Sequence, residues 1–309
     1  MISKMSPVRI GLHSRIGNHL RMAIWLLCVC MLGLGIEPSS AQSPVKKIVL
    51  LASPKEHGAP GRHEYEKDLR ELAWSLEHAG GATQVTAEVV VGKAPRDLAI
   101  LEGADAIVIH GNGDWLKRET GALFPQFAET DGHSYDPETL KFLEGLDTLI
   151  KSKKVGLVVF HYTMWVENWV ARRYFLDWLG GLWIPYASQN PVDTWAIEPL
   201  AVPHPILRGV KPWRPREEMY SRFFLSDNPQ RTELLKATPA DPRHGRGGPV
   251  AWAYQRPDGG RSVVWGGNDF HDNMHLFPQQ RQFLLNAVLW SAGLEVPGNG
   301  FDAPSPPEL

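Results

Sequence analysis

A run of consecutive apolar residues most constrains the fold of this chain. Residues 155–160 read Val-Gly-Leu-Val-Val-Phe, follow Lys153 and Lys154, and end at His161. Continuous apolar residues are typical of a strand covered on both faces, as in a parallel sheet between helices. An amphipathic segment at 167–179 follows closely, so His161 is predicted at a strand-to-helix turn. Open α/β sheets bind ligands at this carboxyl edge.

The remaining segments alternate between strand and helix patterns up to residue 180. Beyond that point short strand patterns are separated by Pro, Gly and Asp turns, and an apolar helix pattern ends at Gly293. This order predicts an α/β fold: a doubly wound, mainly parallel sheet flanked by helices, with a β-rich C-terminal part. The predicted strands are 46–52, 84–91, 104–110, 155–160, 195–200, 219–225, 233–237, 249–254 and 261–265. The predicted helices are 65–78, 98–103, 136–150, 167–179 and 279–292.

The first forty residues have the pattern of a secretory leader. Four basic residues precede an apolar run at 22–36, and Ser39, Ser40 and Ala41 follow it. This pattern predicts a signal peptide over residues 1–41 and a secreted or periplasmic protein. A retained membrane anchor is the alternative, but the run is shorter than the roughly 20 residues that span a bilayer. We therefore expect no stable membrane insertion after cleavage.

Both cysteines, Cys28 and Cys30, lie in this leader, so the chain from about Gln42 onward has no thiol. Disulfides, thiolate zinc sites and cysteine nucleophiles are therefore excluded from the mature chain. Removing the leader, which has four basic residues and one acidic residue, changes the formal net charge from −2 to about −5. No basic face for nucleic acid is predicted.

The mature chain has no low-complexity linker and no internal repeat, so residues 42–296 are predicted to form one α/β domain. Residues 297–309 are rich in proline and glycine, and we predict a disordered tail there. The sequence does not predict an oligomeric state.

Four stretches together carry a resemblance to a known family. They are the loop His57-Gly58 to His63-Glu64, the run GLVVFHY at 156–162, the run HPILRGV at 204–210 followed by EEMY at 217–220, and the C-terminal stretches PVAW (249–252), GR (260–261), GG (266–267) and NAVLWSAG (286–293). In this order they resemble the ThuA-like (trehalose-utilisation) family, whose fold is similar to the class I glutamine amidotransferases and to flavodoxin-like sheets. The resemblance implies carbohydrate metabolism and a small-molecule carbohydrate ligand.

Two features depart from the pattern of these families. In the amidotransferases the central strand-to-helix turn holds a nucleophilic cysteine, whereas His161 stands there in this chain, so glutamine amidotransferase activity is not expected. A Gly-x-Ser-x-Gly motif is also missing from the sequence. ThuA-like proteins usually place one histidine directly after the paired glycines and another two residues later. Here His271 matches the later histidine, and Asn268 or Asp269 replaces the earlier one.

Several histidines follow predicted strand ends at the carboxyl edge, where imidazole can act as a base, an acid or a metal ligand. We predict His161 as a catalytic base, with His271 or Glu218 as its partner, and Trp165 as an aromatic wall for a sugar ring. The predicted substrate-binding residues are His57, His63, Glu64, His110 and Trp165.

Each of these side chains also has a structural interpretation. A histidine after an apolar run, as at His110 and His161, is often a core or capping group. His57 lies in a polar loop of surface character, and Glu218 is close in sequence to Arg216 and Arg222 as pairing partners.

The function predicted from the sequence is proton transfer on a sugar or keto-sugar, of isomerase or hydrolase type, without a cofactor. A non-catalytic sugar-binding protein is one alternative. A metal-dependent hydrolase is another, with two or three of the histidines and Glu64 or Glu218 as ligands of a divalent metal ion. None of the five edge histidines has the short fixed spacing of a strong metal motif.

Overall fold

The apolar run at residues 155–160 forms β4 (Gly156–Phe160), a strand in the interior of a nine-stranded sheet. Both neighbouring strands run parallel to β4, and all of its residues are buried. The structure is a computed structural model, and it describes residues 45–55, 57–79, 85–91, 98–111, 137–166, 169–302 and 304–307. The predicted leader and residue 136, the first residue of the predicted helix at 136–150, lie outside these residues.

The described residues contain the following elements. The strands are β1 (Lys46–Ala52), β2 (Val85–Val91), β3 (Ala106–His110), β4 (Gly156–Phe160), β5 (Gly181–Leu182), β6 (Val192–Pro199), β7 (Arg216–Glu218), β8 (Phe224–Leu225), β9 (Arg231–Pro239), β10 (Gly248–Gln255) and β11 (Arg261–Trp265). The helices are α1 (Tyr65–Glu77), α2 (Pro137–Ser152), α3 (Trp169–Leu179), α4 (Asn273–Leu276) and α5 (Pro278–Ser291), and 3-10 turns occupy Leu98–Leu101, His161–Met164, Pro205–Leu207 and Pro242–His244.

The large sheet has the strand order β2-β1-β3-β4-β11-β10-β9-β6-β7. The first five strands are parallel, and β10, β9, β6 and β7 continue the same sheet as antiparallel neighbours. The short strands β5 and β8 pair separately. This architecture confirms the predicted doubly wound, mainly parallel sheet with a β-rich C-terminal part.

Helices flank this sheet, and their packing follows from their apolar stripes. α1 buries Tyr65, Leu69, Leu72 and Leu76 at helical spacing, packs on β1 and β2, and contacts α5. α5 packs on β4 and β11, while α2 and α3 contact each other. Among the described residues, no helix is both long and apolar enough to cross a bilayer.

The predicted strand at 219–225 is wrong. β7 ends at Glu218, and β8 contains only Phe224 and Leu225. Between them the backbone N–H of Tyr220 donates to the carbonyl of Gly266, directly after β11, at 2.9 Å. The backbone N–H groups of Met219 and Ser221 donate to the carbonyls of Pro191 and Gln189 at 3.3 and 2.7 Å. The segment therefore crosses the carboxyl end of β11 instead of continuing a strand, because its successive donors bond to two different parts of the chain.

The predicted disordered tail is also wrong for the residues up to Phe301. Phe301 is 2% exposed, and its backbone N–H donates to the side chain of Asn286 on α5 at 3.0 Å. Gln282, one turn earlier, donates to the carbonyls of Asn299 and Phe301 at 3.0 and 3.1 Å. Two amide side chains thus hold the segment after Pro297, and its composition does not reveal these contacts.

Close packing between β4 and α5 gives a stability prediction. A methyl group added at Gly156 would lie 2.3 Å from the backbone carbonyl oxygen of Ser291, at the end of α5. Gly156→Ala should therefore lower the free energy of unfolding by about 1–3 kcal/mol, measured by urea denaturation. Gly248→Ala is the matched control, because its added methyl group meets nothing within 4 Å. Equal stability of the two variants would contradict the close approach.

Candidate functional site

Four segments of the chain bring polar side chains together at the carboxyl edge of the sheet. The loop after β1 supplies Arg62 and His63, and the ends of β4 and β7 supply His161 and Glu218. The turn after β11 supplies Asp269. Because parallel strands end at the same edge, residues distant in sequence meet there, as expected for an open α/β sheet.

His161 sits on a strained turn directly after β4. Its φ of 48° is in the left-handed region that is uncommon for residues other than glycine. Its Nδ1–H donates to the carbonyl oxygen of Gly266 at 3.3 Å, so Nε2 carries the lone pair. A sharp strand-to-helix turn of this kind presents the nucleophile in other α/β enzymes. The turn is present here with an imidazole in that position.

His63, His161, Glu218 and Asp269 form a cluster of donor atoms, which we call the crevice cluster. One donor atom from each residue lies within 4.8 Å of all the others. His63 Nε2 is 3.2 Å from Asp269 Oδ1 and 3.7 Å from Glu218 Oε2. His161 Nε2 is 3.8 Å from Glu218 Oε2. Two imidazoles and two carboxylates thus face one small volume.

Two atoms of the crevice cluster are buried without a hydrogen bond in the described part of the chain. They are His161 Nε2 and Asp269 Oδ1. Buried polar atoms are nearly always paired, and an unpaired one costs about 1–3 kcal/mol. His63 directs its Nε2 to the same volume, because its Nδ1 shares a hydrogen bond of 2.9 Å with the hydroxyl of Tyr65. The arrangement therefore favours a cation or a polar ligand between these side chains.

Both imidazoles of the cluster favour the neutral form. Burial lowers the pKa of His161 to about 3, and the neighbouring His110 adds to this effect. Burial and the nearby His161 likewise lower the pKa of His63 to about 3. A neutral imidazole with such a low pKa is a weak base near neutral pH, but it retains the lone pair that a metal ligand needs.

Arg62 bridges the two carboxylates of the crevice cluster. Its Nε donates to Asp269 Oδ2 at 2.5 Å, and its terminal nitrogen donates to Glu218 Oε2 at 2.8 Å. Asn190 donates to the other oxygen of Glu218 at 3.0 Å. Burial and the charge of Asp269 raise the pKa of Glu218 to about 7, although Arg62 acts in the opposite direction.

Glu217 fixes the turn that carries Asp269. It is fully buried, and its two oxygens accept five N–H groups at 2.9 to 3.3 Å. Burial and the charge of Asp269 raise the pKa of Glu217 to about 8, whereas the five donors favour the carboxylate. The donors are the backbone N–H groups of Glu218, Asn268, Asp269 and Phe270 and the side-chain amide of Asn273.

A second buried group, the Asp68 network, contains two of the predicted site histidines. Asp68 on α1 lies 3.0 Å from His110 Nε2 and 2.5 Å from His271 Nδ1. Asn268 donates to the same carboxylate at 2.7 Å. The structure thus brings His110 and His271 together on Asp68 instead of in the crevice cluster.

Aromatic rings surround the crevice cluster. His57 lies over His63 with ring centroids 4.1 Å apart, and Tyr220 lies 4.4 Å from His161. Trp165 stacks on Trp183 at 4.4 Å, and Trp183 continues the row of rings to Tyr220 at 5.3 Å. The predicted wall at Trp165 therefore belongs to a group of aromatic side chains.

Glu64 has a local structural contact instead of a place in the crevice cluster. Its carboxylate pairs with Lys55 and accepts the backbone N–H of Gly61 at 3.0 Å. These contacts close the loop that carries Arg62 and His63. Glu64 therefore positions the loop. Within the residues that the structure describes, it makes no hydrogen bond or ion pair with the crevice cluster.

Sequence reasoning missed several functional positions. Arg62 directly precedes His63, a predicted substrate-binding residue, but no motif or spacing in the sequence indicates a role for Arg62 itself. Asp68 and Glu71 were detectable, because two acidic residues three apart lie within the apolar stripe of α1 and both are buried. Glu217 was adjacent to the predicted Glu218, and the sequence does not show which of the two faces the turn.

The contacts of Glu217 give a stability prediction. Glu217→Ala leaves buried N–H groups without an acceptor, so the free energy of unfolding should fall by about 2–4 kcal/mol. Glu198→Ala is the control, because Glu198 is half exposed and pairs only with Lys236 at the surface. Thermal and urea unfolding of both variants measure the difference. A Glu217→Ala variant as stable as the control would remove Glu217 from the support of the turn.

Comparison with solved structures places the fold among known ones. A protein of Bacteroides uniformis named as ThuA-like matches with a TM-score of 0.53 at 15% identity, over 84% of this chain and 97% of that one. A cytoplasmic protein of Salmonella typhimurium matches with a TM-score of 0.46 at 13% identity, over 80% and 97% of the two chains. A glutamine amidotransferase of Methylobacillus flagellatus matches with a TM-score of 0.38 at 13% identity, over 73% and 70%.

The TM-scores of 0.46 and 0.38 indicate only a loose similarity. Of these three matches, we therefore use only the ThuA-like protein as support for the fold. No protein-family model matches the sequence, and a search among curated proteins found no significant match. The chain therefore has the fold of the ThuA-like protein, in agreement with the resemblance in its sequence.

Proposed function

We propose that this protein is a divalent-metal enzyme that acts on a sugar or a keto-sugar at the crevice cluster. The observation that carries the proposal is that one ligand atom from each of His63, His161, Glu218 and Asp269 lies within 4.8 Å of those of the other three. Imidazole nitrogen and carboxylate oxygen are common ligands of divalent transition metals such as zinc.

The surroundings of the two imidazoles support this proposal over the base role predicted for His161. Protein metal sites usually hold the second ring nitrogen of each histidine with a hydrogen bond, which orients the ring. His161 has such a bond to the carbonyl of Gly266, and His63 has one to Tyr65. With pKa values of about 3, both rings are weak bases but remain competent ligands at neutral pH.

The charges of the cluster suit a cation. Glu218 and Asp269 bring two carboxylates, and Arg62 compensates one charge between them. A bound divalent ion would polarise a carbonyl or hydroxyl oxygen of the substrate. Arg62, which already donates to both carboxylates, is placed to hold them in position and to bind a negatively charged substrate oxygen.

The sugar or keto-sugar part of the proposal has separate support. Aromatic faces such as that of Trp165 stack on the C–H faces of sugar rings, and Trp183 and Tyr220 continue this wall to His161. The fold and the sequence motifs resemble the ThuA-like (trehalose-utilisation) family. The signal-like pattern of residues 1–41 supports an activity outside the cytoplasm as part of this proposal.

A second candidate is metal-free proton transfer between Glu218 and the sugar. The observation that favours it is the guanidinium of Arg62, which already supplies a positive charge between the two carboxylates. Metal analysis separates the two candidates, because only the first requires a bound ion for turnover.

The metal proposal predicts the behaviour of a His161→Asn variant. Asparagine tolerates the left-handed backbone conformation at this position but removes the imidazole ligand. We expect the affinity of the crevice cluster for Zn²⁺ or Mn²⁺ to fall more than about 100-fold, measured by isothermal titration calorimetry. The control is His78→Asn, at an exposed histidine that stacks on Trp74. Unchanged metal binding in His161→Asn would falsify the ligand role of His161.

The substrate class is tested by a screen of keto-sugars and oligosaccharides that records both binding and metal-dependent turnover. For a sugar found in this way, Trp165→Ala should raise KM about 2- to 10-fold through loss of stacking. Trp74→Ala, on the surface of α1, should leave KM unchanged. The carbohydrate proposal fails if the metal-loaded protein neither binds nor converts any sugar in the screen.

A further inference from the structure

A third group of polar side chains lies beside the Asp68 network. Glu71 on α1 faces His271 and His275, which flank the start of α4. His271 Nε2 is 3.1 Å from Glu71 Oε1, and His275 Nε2 is 3.0 Å from Glu71 Oε2. One donor atom from each of the three residues lies within 4.8 Å of the other two.

The spacing of the two histidines suits shared coordination. Residues four apart on a helical turn face the same side, as in metal motifs with two histidines at i and i+4. The turns between His271 and His275 are helical, with the backbone N–H of Met274 bonded to His271 and that of His275 bonded to Asp272 at 2.9 and 3.0 Å. The two imidazole centroids are 5.4 Å apart.

Two atoms of this group are buried and unsatisfied. His271 Nε2 and Glu71 Oε2 make no hydrogen bond within the residues that the structure describes. Glu71 is fully buried, and His271 is 3% exposed. His271 Nε2 lies beside Glu71 Oε1, and Glu71 Oε2 lies beside His275 Nε2. A buried imidazole lone pair beside a carboxylate oxygen is electrostatically unfavourable unless a proton or a cation lies between them.

The opposite side of His271 is held as in a metal site. Its Nδ1 bonds to Asp68 Oδ1 at 2.5 Å, so Nδ1 carries a proton and Nε2 is left for a ligand. A carboxylate behind a ligating histidine fixes the ring and increases its basicity. Asp68 is itself fixed by His110 and Asn268 at 3.0 and 2.7 Å.

We propose that Glu71, His271 and His275 form a second metal site that binds a zinc ion, separate from the crevice cluster. Two imidazoles and one carboxylate are a common three-residue ligand set for zinc, with the fourth position left to water. His275 is 25% exposed at its side chain, so the ion has access from solvent. The ion would join α1 to the segment that carries Asp269, and this role goes beyond the proposed catalytic function.

The competing interpretation is a simple ion pair. Burial disfavours a charged His271, but the hydrogen bond to Asp68 and the nearby carboxylate of Glu71 outweigh it and raise the pKa of His271 to about 9. The carboxylates of Asp68 and Glu71, which lie on the two sides of the ring, would equally favour a zinc ion at Nε2. An experiment that counts bound ions distinguishes a proton from a metal at this position.

The test measures zinc per chain after removal of metal with a chelator and reloading with Zn²⁺. The wild-type chain should bind two ions, and His275→Gln should bind one, because it loses the ligand at the surface. His161→Asn should also bind one ion, and the double variant none. His78→Gln is the control, because His78 is a surface histidine at the C-terminal end of α1. This variant should retain two zinc ions.

Each outcome separates the second site from the first. If His275→Gln retains every ion of the wild type, the second site is overturned, whatever happens at His161. If His161→Asn retains every ion while His275→Gln loses one, the crevice proposal fails and the second site stands. Zinc should also raise the thermal midpoint of the wild type more than that of His275→Gln. Equal shifts would contradict the proposed link between α1 and α4.

Discussion

The turn after β11 depends on one buried carboxylate. Glu217 accepts five N–H groups, four of them from the backbone, and this set of bonds fixes the conformation of residues 268–270. The turn then delivers Asp269 to the crevice cluster, and it delivers Asn268 and His271 to Asp68. Because five hydrogen bonds converge on this one side chain, the geometry of both polar groups depends on it.

The two polar groups differ in the state they give to histidine. In the crevice cluster His63 and His161 are buried near other imidazoles, and their pKa values fall to about 3. His271 is buried between two carboxylates, and its pKa rises to about 9. Burial opposes the charged form in every case, so the difference comes from the neighbours. The same residue type thus favours the neutral form in one place, and a bound proton or cation in the other.

The fold could be predicted from the sequence because its signals are local. The continuous apolar run at β4, the alternation of strands and helices, and the glycine at the end of α5 each depend on neighbouring residues. The chain at 219–225 was misread, since its backbone donors bond to residues distant in sequence. His57, His63, His161 and Glu218 lie together at the carboxyl edge, whereas His110 and His271 contact Asp68, a long-range partner that the sequence does not reveal. Strand ends show which edge a residue occupies but not which neighbour its ring contacts.

The left-handed backbone at His161 has a wider consequence. The strained turn aims whatever side chain it carries away from the strand and into the crevice, and this direction is set by the main chain alone. In other α/β enzymes a strained strand-to-helix corner of this kind presents a serine hydroxyl for covalent attack. The reactivity of such a corner is therefore decided by the identity of one residue, so the scaffold can exchange one kind of chemistry for another without being rebuilt.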